Sequence, residues 1–456
     1  MKRLILLMIA TLAIALTGTA QTPDAIREFI SKNPNFSEPT VTTYENVKIG
    51  KIASAPKGYK PFYFTMTSRH GSRYELQDTT YINLTAVYNR AAEQGILTPL
   101  GEEIRQILNR ASNEQKGKEG ELTSLGQKQL RGIGRRAYSN FKSVFDSGTI
   151  EGKSSTKMRC VFSMVAFIDG LKEKNSTLPV EIEARESHLG LLRPMANHPD
   201  TPKEVIAMWG GYGRAPQKTW ANKFVAQVDK SKFATMLSKV VTRPELLVEK
   251  CGAPNLFQFF CNTHHLLLFS QNLEVCDDTI LKRTFTLDEH YLCYLYQTTR
   301  WLHWSGGWGN PYIECYSSYL RPLVEDILCR AQEAIEGKNP HIANIRFTHD
   351  TYVAPLLTVL GYNNCALQYS EDWEKGCCSI PFSTLMPMGA NLQMVLYRNK
   401  EGKVLVRSLL NEQDAFLPIE CDTAPFYPWY ELCALARANM AKLDKSRDKL
   451  FPKLKR

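Results

Sequence analysis

Apolar positions along the chain fall into a few short continuous runs separated by stretches with helical spacing. Phe62, Tyr63 and Phe64 belong to an apolar, strand-like run that ends in Ser68-Arg69-His70-Gly71-Ser72-Arg73. Before it, Pro23, Pro34, Pro39 and Pro56 mark a mixed lead-in with a short helix near Asp24 to Ser31. After it, Thr80 to Glu93 and Thr98 to Ala111 are spaced as helices, and Asn113 to Gly120 reads as a charged loop. Leu130, Ile133, Ala137 and Phe141 recur every three or four residues, the signature of one buried helix face, and Ser124 with Gln127 has capping-box spacing at its start. Arg131, Arg135 and Arg136 fall largely off that face and are expected in solvent. Val180 to Ala184 alternates as a strand does.

The pattern then turns helical and aromatic to about Asn339. Thr286 with Glu289 caps a run through His303, and Tyr316, Leu320, Leu323, Ile327, Ala331 and Ala334 keep a helical stripe until Gly337 stops it. A second strand-like run, Ala343 to Thr348, empties into His349-Asp350-Thr351 and a helix that ends at Gly361. Asn391 to Arg398 and Lys403 to Leu410 flank Asn399-Lys400-Glu401-Gly402 as a hairpin. The expected organisation is an α/β core in two parts, residues 21–185 and 341–456, with a mainly α-helical lobe inserted at 186–340.

Composition keeps this picture globular: 456 residues, 43% hydrophobic and 22% charged, are enough for a full core. Residues 1–20 carry Lys2 and Arg3, an apolar run from Leu4 to Leu16, and Gly18-Thr19-Ala20, the pattern of a secretory signal peptide. The apolar run is too short for a membrane anchor, so a protein exported to the periplasm or secreted is expected. Without that segment the formal charge falls from +10 to +8, still an excess that favours an anionic partner. No Lys/Arg-rich run or RNA-binding aromatic signature points to nucleic acid. The twelve cysteines contain no Cys-x-x-Cys pair, which argues against a zinc ribbon; an exported context permits disulfides, and Cys293 and Cys329 sit in helical patterns where a thiol serves as a small apolar group.

The two strand ends carry the candidate chemistry. A histidine between arginines sits in positive potential that keeps its imidazole neutral and nucleophilic, and guanidinium forks suit phosphate oxygens. Gly71 permits either a close backbone approach or a positive φ. Arg159, at the start of a helix-forming stretch, can point with the free backbone N–H groups toward an anion. A strand running into His349-Asp350 places those side chains at the carboxyl edge of a sheet, where ligands sit in open α/β folds. His264, His265 and His303 lie in apolar or aromatic helical stretches and read as hydrogen-bonded structural histidines; His188 and His198 flank Arg193 where the chain leaves the core.

Arg69-His70-Gly71-Ser72-Arg73 resembles the Arg-His-Gly-x-Arg signature of the histidine phosphatase superfamily, acid phosphatase branch. Leu122-Thr123-x-x-Gly126-x-x-Gln129, the Ser155-x-x-x-Arg159-x-x-x-Ser163 segment, His349-Asp350-Thr351 and Pro387 to Leu392 are similar to later segments of the same branch. The resemblance implies a phosphoglycerate-mutase-like three-layer α/β core and a metal-independent phosphomonoesterase without a cofactor. It further implies that His70 attacks phosphorus, that Arg69, Arg73, Arg159 and His349 hold the phosphoryl oxygens, and that Asp350 protonates the leaving alkoxide. His349-Asp350-Thr351 resembles bacterial phytases and acid phosphatases, whereas Tyr74 and the Pro387 to Leu392 run are similar to inositol polyphosphate phosphatases. A phosphomonoesterase accepting phytate is therefore expected. One departure stands out: many members have proline where this chain has Glu75. The same pocket also suits a non-catalytic polyanion binder, or a phosphomutase, which the export signal disfavours.

Overall fold

The computed structural model describes residues 22–194 and 223–452, apart from short stretches at 274, 276–277, 303–307, 310, 363–369, 371 and 378–381. The leader at 1–20, His198, His303, Cys276, Cys365 and Cys378 lie outside the described residues.

A central sheet organises the chain. Its strands are β1 (Lys60–Arg69), β2 (Thr149–Ser154), β3 (Val180–Glu183), β4 (His341–Thr348), β5 (Asn391–Arg398), β6 (Val404–Leu410), β7 (Gln413–Ala415) and β8 (Phe426–Pro428). The order is β3-β2-β4-β1-β5-β6-β7, with β8 beside β6. β1 pairs in parallel with β4 and antiparallel with β5, and β2 pairs in parallel with β3 and β4. The β5–β6 hairpin matches the sequence expectation. Residues 63–69 of β1 are all buried, polar Thr65, Thr67, Ser68 and Arg69 included, as befits a central strand covered on both faces.

Among the described residues, the helices of ten or more residues are α1 (Pro23–Lys32), α2 (Asp78–Glu93), α3 (Pro99–Gln115), α4 (Ser124–Asn140), α5 (Met158–Lys172), α6 (Leu256–Phe269), α7 (Leu287–Leu302), α8 (Arg321–Ile335), α9 (Asp350–Leu360) and α10 (Trp429–Leu450). Alternation along the strands builds three layers. Phe64 and Met66 of β1 meet Leu130 and Ile133 of α4 and Phe167 of α5 on one face. Tyr63 and, on β5, Leu392 and Met394 join Ile327 of α8, Leu356 of α9 and Leu432 of α10 on the other. A separate apolar cluster unites α2, α3 and α6 with Phe233, Phe285 and Cys293. α2 and α3, from the first part of the chain, thus share an apolar cluster with the segment that follows β3. An amphipathic face dictates burial without dictating against which partner.

Local signals explain the boundaries. Glu289 N–H donates to Thr286 Oγ1 (3.2 Å) and Thr286 N–H to Glu289 Oε2 (2.8 Å), a complete capping box before α7. At α4 the cap sits one residue earlier than expected: Thr123, not Ser124, accepts from the Gly126 amide at 3.1 Å. The stripe from Tyr316 to Ala334 is two helices, Pro311–Ser318 and α8. Pro322, lacking an N–H, fits the first turn of a new helix better than the middle of an old one. Cys293 is buried as expected, Cys329 is exposed, and the nine described cysteines are free thiols. No helix among the described residues is long and apolar enough to cross a membrane.

The turn after β1 is held against the start of α4. A Cβ on Gly71 would lie 2.6 Å from the Gly126 carbonyl oxygen and 2.7 Å from Leu130 Cδ2, so this glycine serves close approach rather than a positive φ. Gly71→Ala is expected to cost about 1–3 kcal/mol through overpacking and to displace the neighbouring His70. Urea unfolding would show the lowered midpoint; an unchanged midpoint would mean the backbone yields freely.

Candidate active site

Because β1 to β4 run parallel, their carboxyl ends open on one edge. The register sets Arg69 opposite Thr348 and Ser154 opposite Phe347, so the residues that follow emerge side by side. His70 N–H donates to Thr348 O (3.2 Å), Arg69 N–H to Ala390 O (2.7 Å) and Gly389 N–H to His70 O (2.8 Å), which stitch three chain segments around His70. The rings of His70 and His349 lie 5.6 Å apart between centroids, edge to face. Arg159 is the second residue of α5, and its Nη2 comes within 3.4 Å of His349 Nδ1. Asp350 opens α9, where its Oδ1 accepts from the Thr351 amide (2.8 Å) and its Oδ2 pairs with Arg69 Nη2 at 2.9 Å.

His70 Nδ1 lies 2.9 Å from the Gly71 carbonyl oxygen. A carbonyl only accepts, so Nδ1 carries the proton and Nε2 keeps its lone pair. Burial, then the charges of Arg159, Arg69, His349 and Arg73, hold the imidazole's pKa well below its ordinary value. Burial together with Arg159, Arg193, Arg69 and Arg73 does the same to His349. Both rings are neutral at mildly acidic pH for that reason.

The arginines are under the same stress. Arg69 is 1% exposed; burial, reinforced by Arg73 and Arg159 and opposed by Asp350, pulls its pKa down to about 10, where it still stays protonated near neutrality. Arg69 Nη1 donates to Met386 O at 2.7 Å, and Arg159 Nη1 reaches Gly120 O at 3.5 Å. Burial first, then Arg73 and Arg193, lowers the pKa of Arg159. Arg73 lies over the Phe269 ring, 5.5 Å from its centroid, and donates from Nη1 to Tyr74 O (2.8 Å). The Nε atoms of Arg69, Arg159 and Arg193 are buried without a hydrogen-bond acceptor. Guanidinium groups gathered this way, with few carboxylates among them, are costly unless an oxyanion joins them.

All six residues singled out in the sequence, Arg69, His70, Arg73, Arg159, His349 and Asp350, therefore meet at one edge. Four contacts support this edge; Gln129, Ser155 and Ser163 stand in the motifs noted in the sequence, which gave them no role, and Asn272 carried no signal. Ser163 Oγ accepts from the Gly71 amide (3.0 Å), Gln129 Oε1 accepts from the Ser72 amide (2.9 Å), and Ser72 Oγ donates to Asn272 (2.7 Å). Ser155 Oγ lies 3.4 Å from His349 Nε2. Arg193 is a fourth cation at the site, held near it because Thr348 Oγ1 hydrogen-bonds to Leu192 O. Its available signal was topological: β3 is parallel to β1, so the chain leaving β3 emerges at the same edge. His188 instead pairs with Glu183 (2.6 Å), a local contact. His264 accepts its structural role beside Ser37 and His290, whereas His265 reaches Glu38 and Glu75.

Comparison with known proteins is consistent with this geometry. The thiamine-repressible acid phosphatase pho4 of Schizosaccharomyces pombe is 20% identical over 335 residues, and the match spans 69% of this chain but only 65% of that relative's length. Among solved structures, the multiple inositol polyphosphate phosphatase of Bifidobacterium longum in complex with phosphate superposes with a TM-score of 0.69 at 19% identity, covering 89% of this chain and 98% of the other. The phytase from D. castellii gives 0.62 at 16% identity over 90% and 85%. At these identities the two structures establish the fold. A family model described as histidine phosphatase superfamily (branch 2) matches residues 64–411, which include all six site residues and most of the sheet. The chain belongs to the histidine phosphatase superfamily, branch 2.

Proposed function

We propose that this protein is an exported phosphomonoesterase that works through a phosphohistidine and accepts inositol polyphosphates such as phytate. The observation that carries the reading is the His70 tautomer: Nδ1–H is committed to Gly71 O, and Nε2 is left as a nucleophile among Arg69, Arg73 and Arg159. Nε2 attacks phosphorus as the ester P–O bond breaks, and Asp350 gives its proton to the departing alkoxide so that an alcohol leaves. Water then attacks the phosphohistidine, the P–N bond breaks, and Asp350 takes the water's proton. Inorganic phosphate is released. Throughout, the arginines and His349 meet the charge on the equatorial oxygens, a role that metal ions play in other phosphoryl-transfer sites.

A polyphosphate substrate is supported by the fourth guanidinium, Arg193, by the net positive charge, and by likeness in fold to a phytase and an inositol polyphosphate phosphatase. Export is supported by the cation-then-apolar pattern of residues 1–20. Purified protein is expected to release phosphate from p-nitrophenyl phosphate and from phytate at mildly acidic pH in EDTA. Binding of these esters without release would replace the enzyme reading with that of a polyanion binder.

A further inference from the structure

Arg73 has a carboxylate of its own beside it, distinct from the Asp350 that pairs with Arg69. Glu75 Oε1 stands 3.9 Å from Arg73 Nη1. A carboxylate there repels the same phosphates that the arginine attracts, unless its charge is met. The next group along meets it: Glu75 Oε2 lies 3.6 Å from His265 Nε2. His265 Nδ1 in turn hydrogen-bonds to Glu38 Oε1, and the other Glu38 oxygen is 3.6 Å from His264 Nδ1. The row Arg73, Glu75, His265, Glu38 alternates in sign and draws on three segments: the loop after β1, helix α6, and the lead-in before β1. α6 contributes twice, since Phe269, one turn beyond His265, is the ring on which Arg73 rests.

Burial makes this arrangement expensive without a purpose. Glu38 is 2% exposed, and a carboxylate so placed needs a partner. His265, with carboxylates at both ring nitrogens, is suited to hold both protons. The charges agree: Glu38 and Glu75 overcome burial and raise His265 to about 10, while Arg73 and His265 hold Glu75 at about 2 against the same penalty.

We propose that His265, anchored by Glu38, is a positioning residue that cancels the charge of Glu75 and so lets Arg73 hold a substrate bearing several phosphates. The proposal rests on the phosphatase reading above and adds a specificity element to its pocket.

The test is a double-substitution cycle. In His265→Asn the amide nitrogen takes the place of Nδ1, keeping a donor for Glu38 while Glu75 loses its counter-charge. KM for phytate is expected to rise on the order of tenfold, with a smaller change in kcat for p-nitrophenyl phosphate. Adding Glu75→Gln should recover most of that loss, because no uncompensated carboxylate remains. Glu75→Gln alone, in the otherwise native chain, should leave phytate bound as tightly or more tightly. A loss in that variant would overturn the relay by making Glu75 itself a substrate contact, and this variant decides the question should His265→Asn fail to fold. An unchanged KM in His265→Asn, or a double variant no better than it, would also overturn the relay. Calorimetric binding of inorganic phosphate gives an independent readout, expected to weaken in His265→Asn and recover in the pair. If the native protein turns over neither ester, the phosphatase reading fails; if it is active and the cycle is flat, only the relay fails.

Discussion

Replacing His70 with alanine is expected to lower kcat by about 10⁴-fold or more on every phosphomonoester, with p-nitrophenyl phosphate and phytate affected alike. On the proposed route the side chain forms the P–N bond through which every substrate must pass, and the neighbouring cations cannot replace it. His349, 5.6 Å away between ring centroids, is itself flanked by Ser155 and Arg159 and is not placed to substitute. Steady-state rates and trapping of acid-labile phosphoprotein check the outcome. Activity within tenfold of the native protein would rule out the phosphohistidine route.

The same environment sets the pH dependence. Since burial and the arginines depress the pKa of His70, its neutral form persists well below the ordinary imidazole value of about 6.5. The acid limb of kcat/KM, which reports the free enzyme, should therefore lie below that value. Stability also falls on acidification, and earlier. His70 and His349 bind protons more readily unfolded than folded, so their contribution erodes stability as pH falls through about 6.5. Glu38 and Glu75, depressed to about 2, stabilise the fold above the ordinary carboxyl range and lose that contribution only as pH falls toward 2.

How much of this was legible in the sequence follows from which signals are local. The strand ends were readable because a buried strand that runs into Arg-His-Gly or His-Asp-Thr changes abruptly from apolar to polar, and the Thr286–Glu289 box is complete within four residues. Thr123 and Ser124 are equally good caps by composition, and only the backbone distinguishes them. The packing of α2 and α3 with α6 had no local mark, because an apolar stripe records burial but not the partner. His265 was hidden for the same reason. The four residues after it are apolar, and its partners lie 227 and 190 positions away, at Glu38 and Glu75.

Replacing Asp350 with asparagine is expected to separate substrates by their leaving groups. The carboxyl at the start of α9 is held by the Thr351 amide and by Arg69, which fixes its direction at the pocket. Asparagine is nearly isosteric, can still accept the Thr351 N–H, and cannot deliver a proton. An inositol alkoxide is a poor leaving group without that proton, so phytate hydrolysis should fall by about 10²–10⁴-fold, the usual worth of general acid catalysis. p-Nitrophenolate leaves as an anion at little cost, so its first step should slow far less, and a burst of nitrophenol ahead of steady release is expected where water attack on the phosphohistidine becomes limiting. An equal loss in the first step on both substrates would instead make Asp350 a positioning partner of Arg69, because disturbing the guanidinium penalises every phosphoryl group regardless of what departs from it.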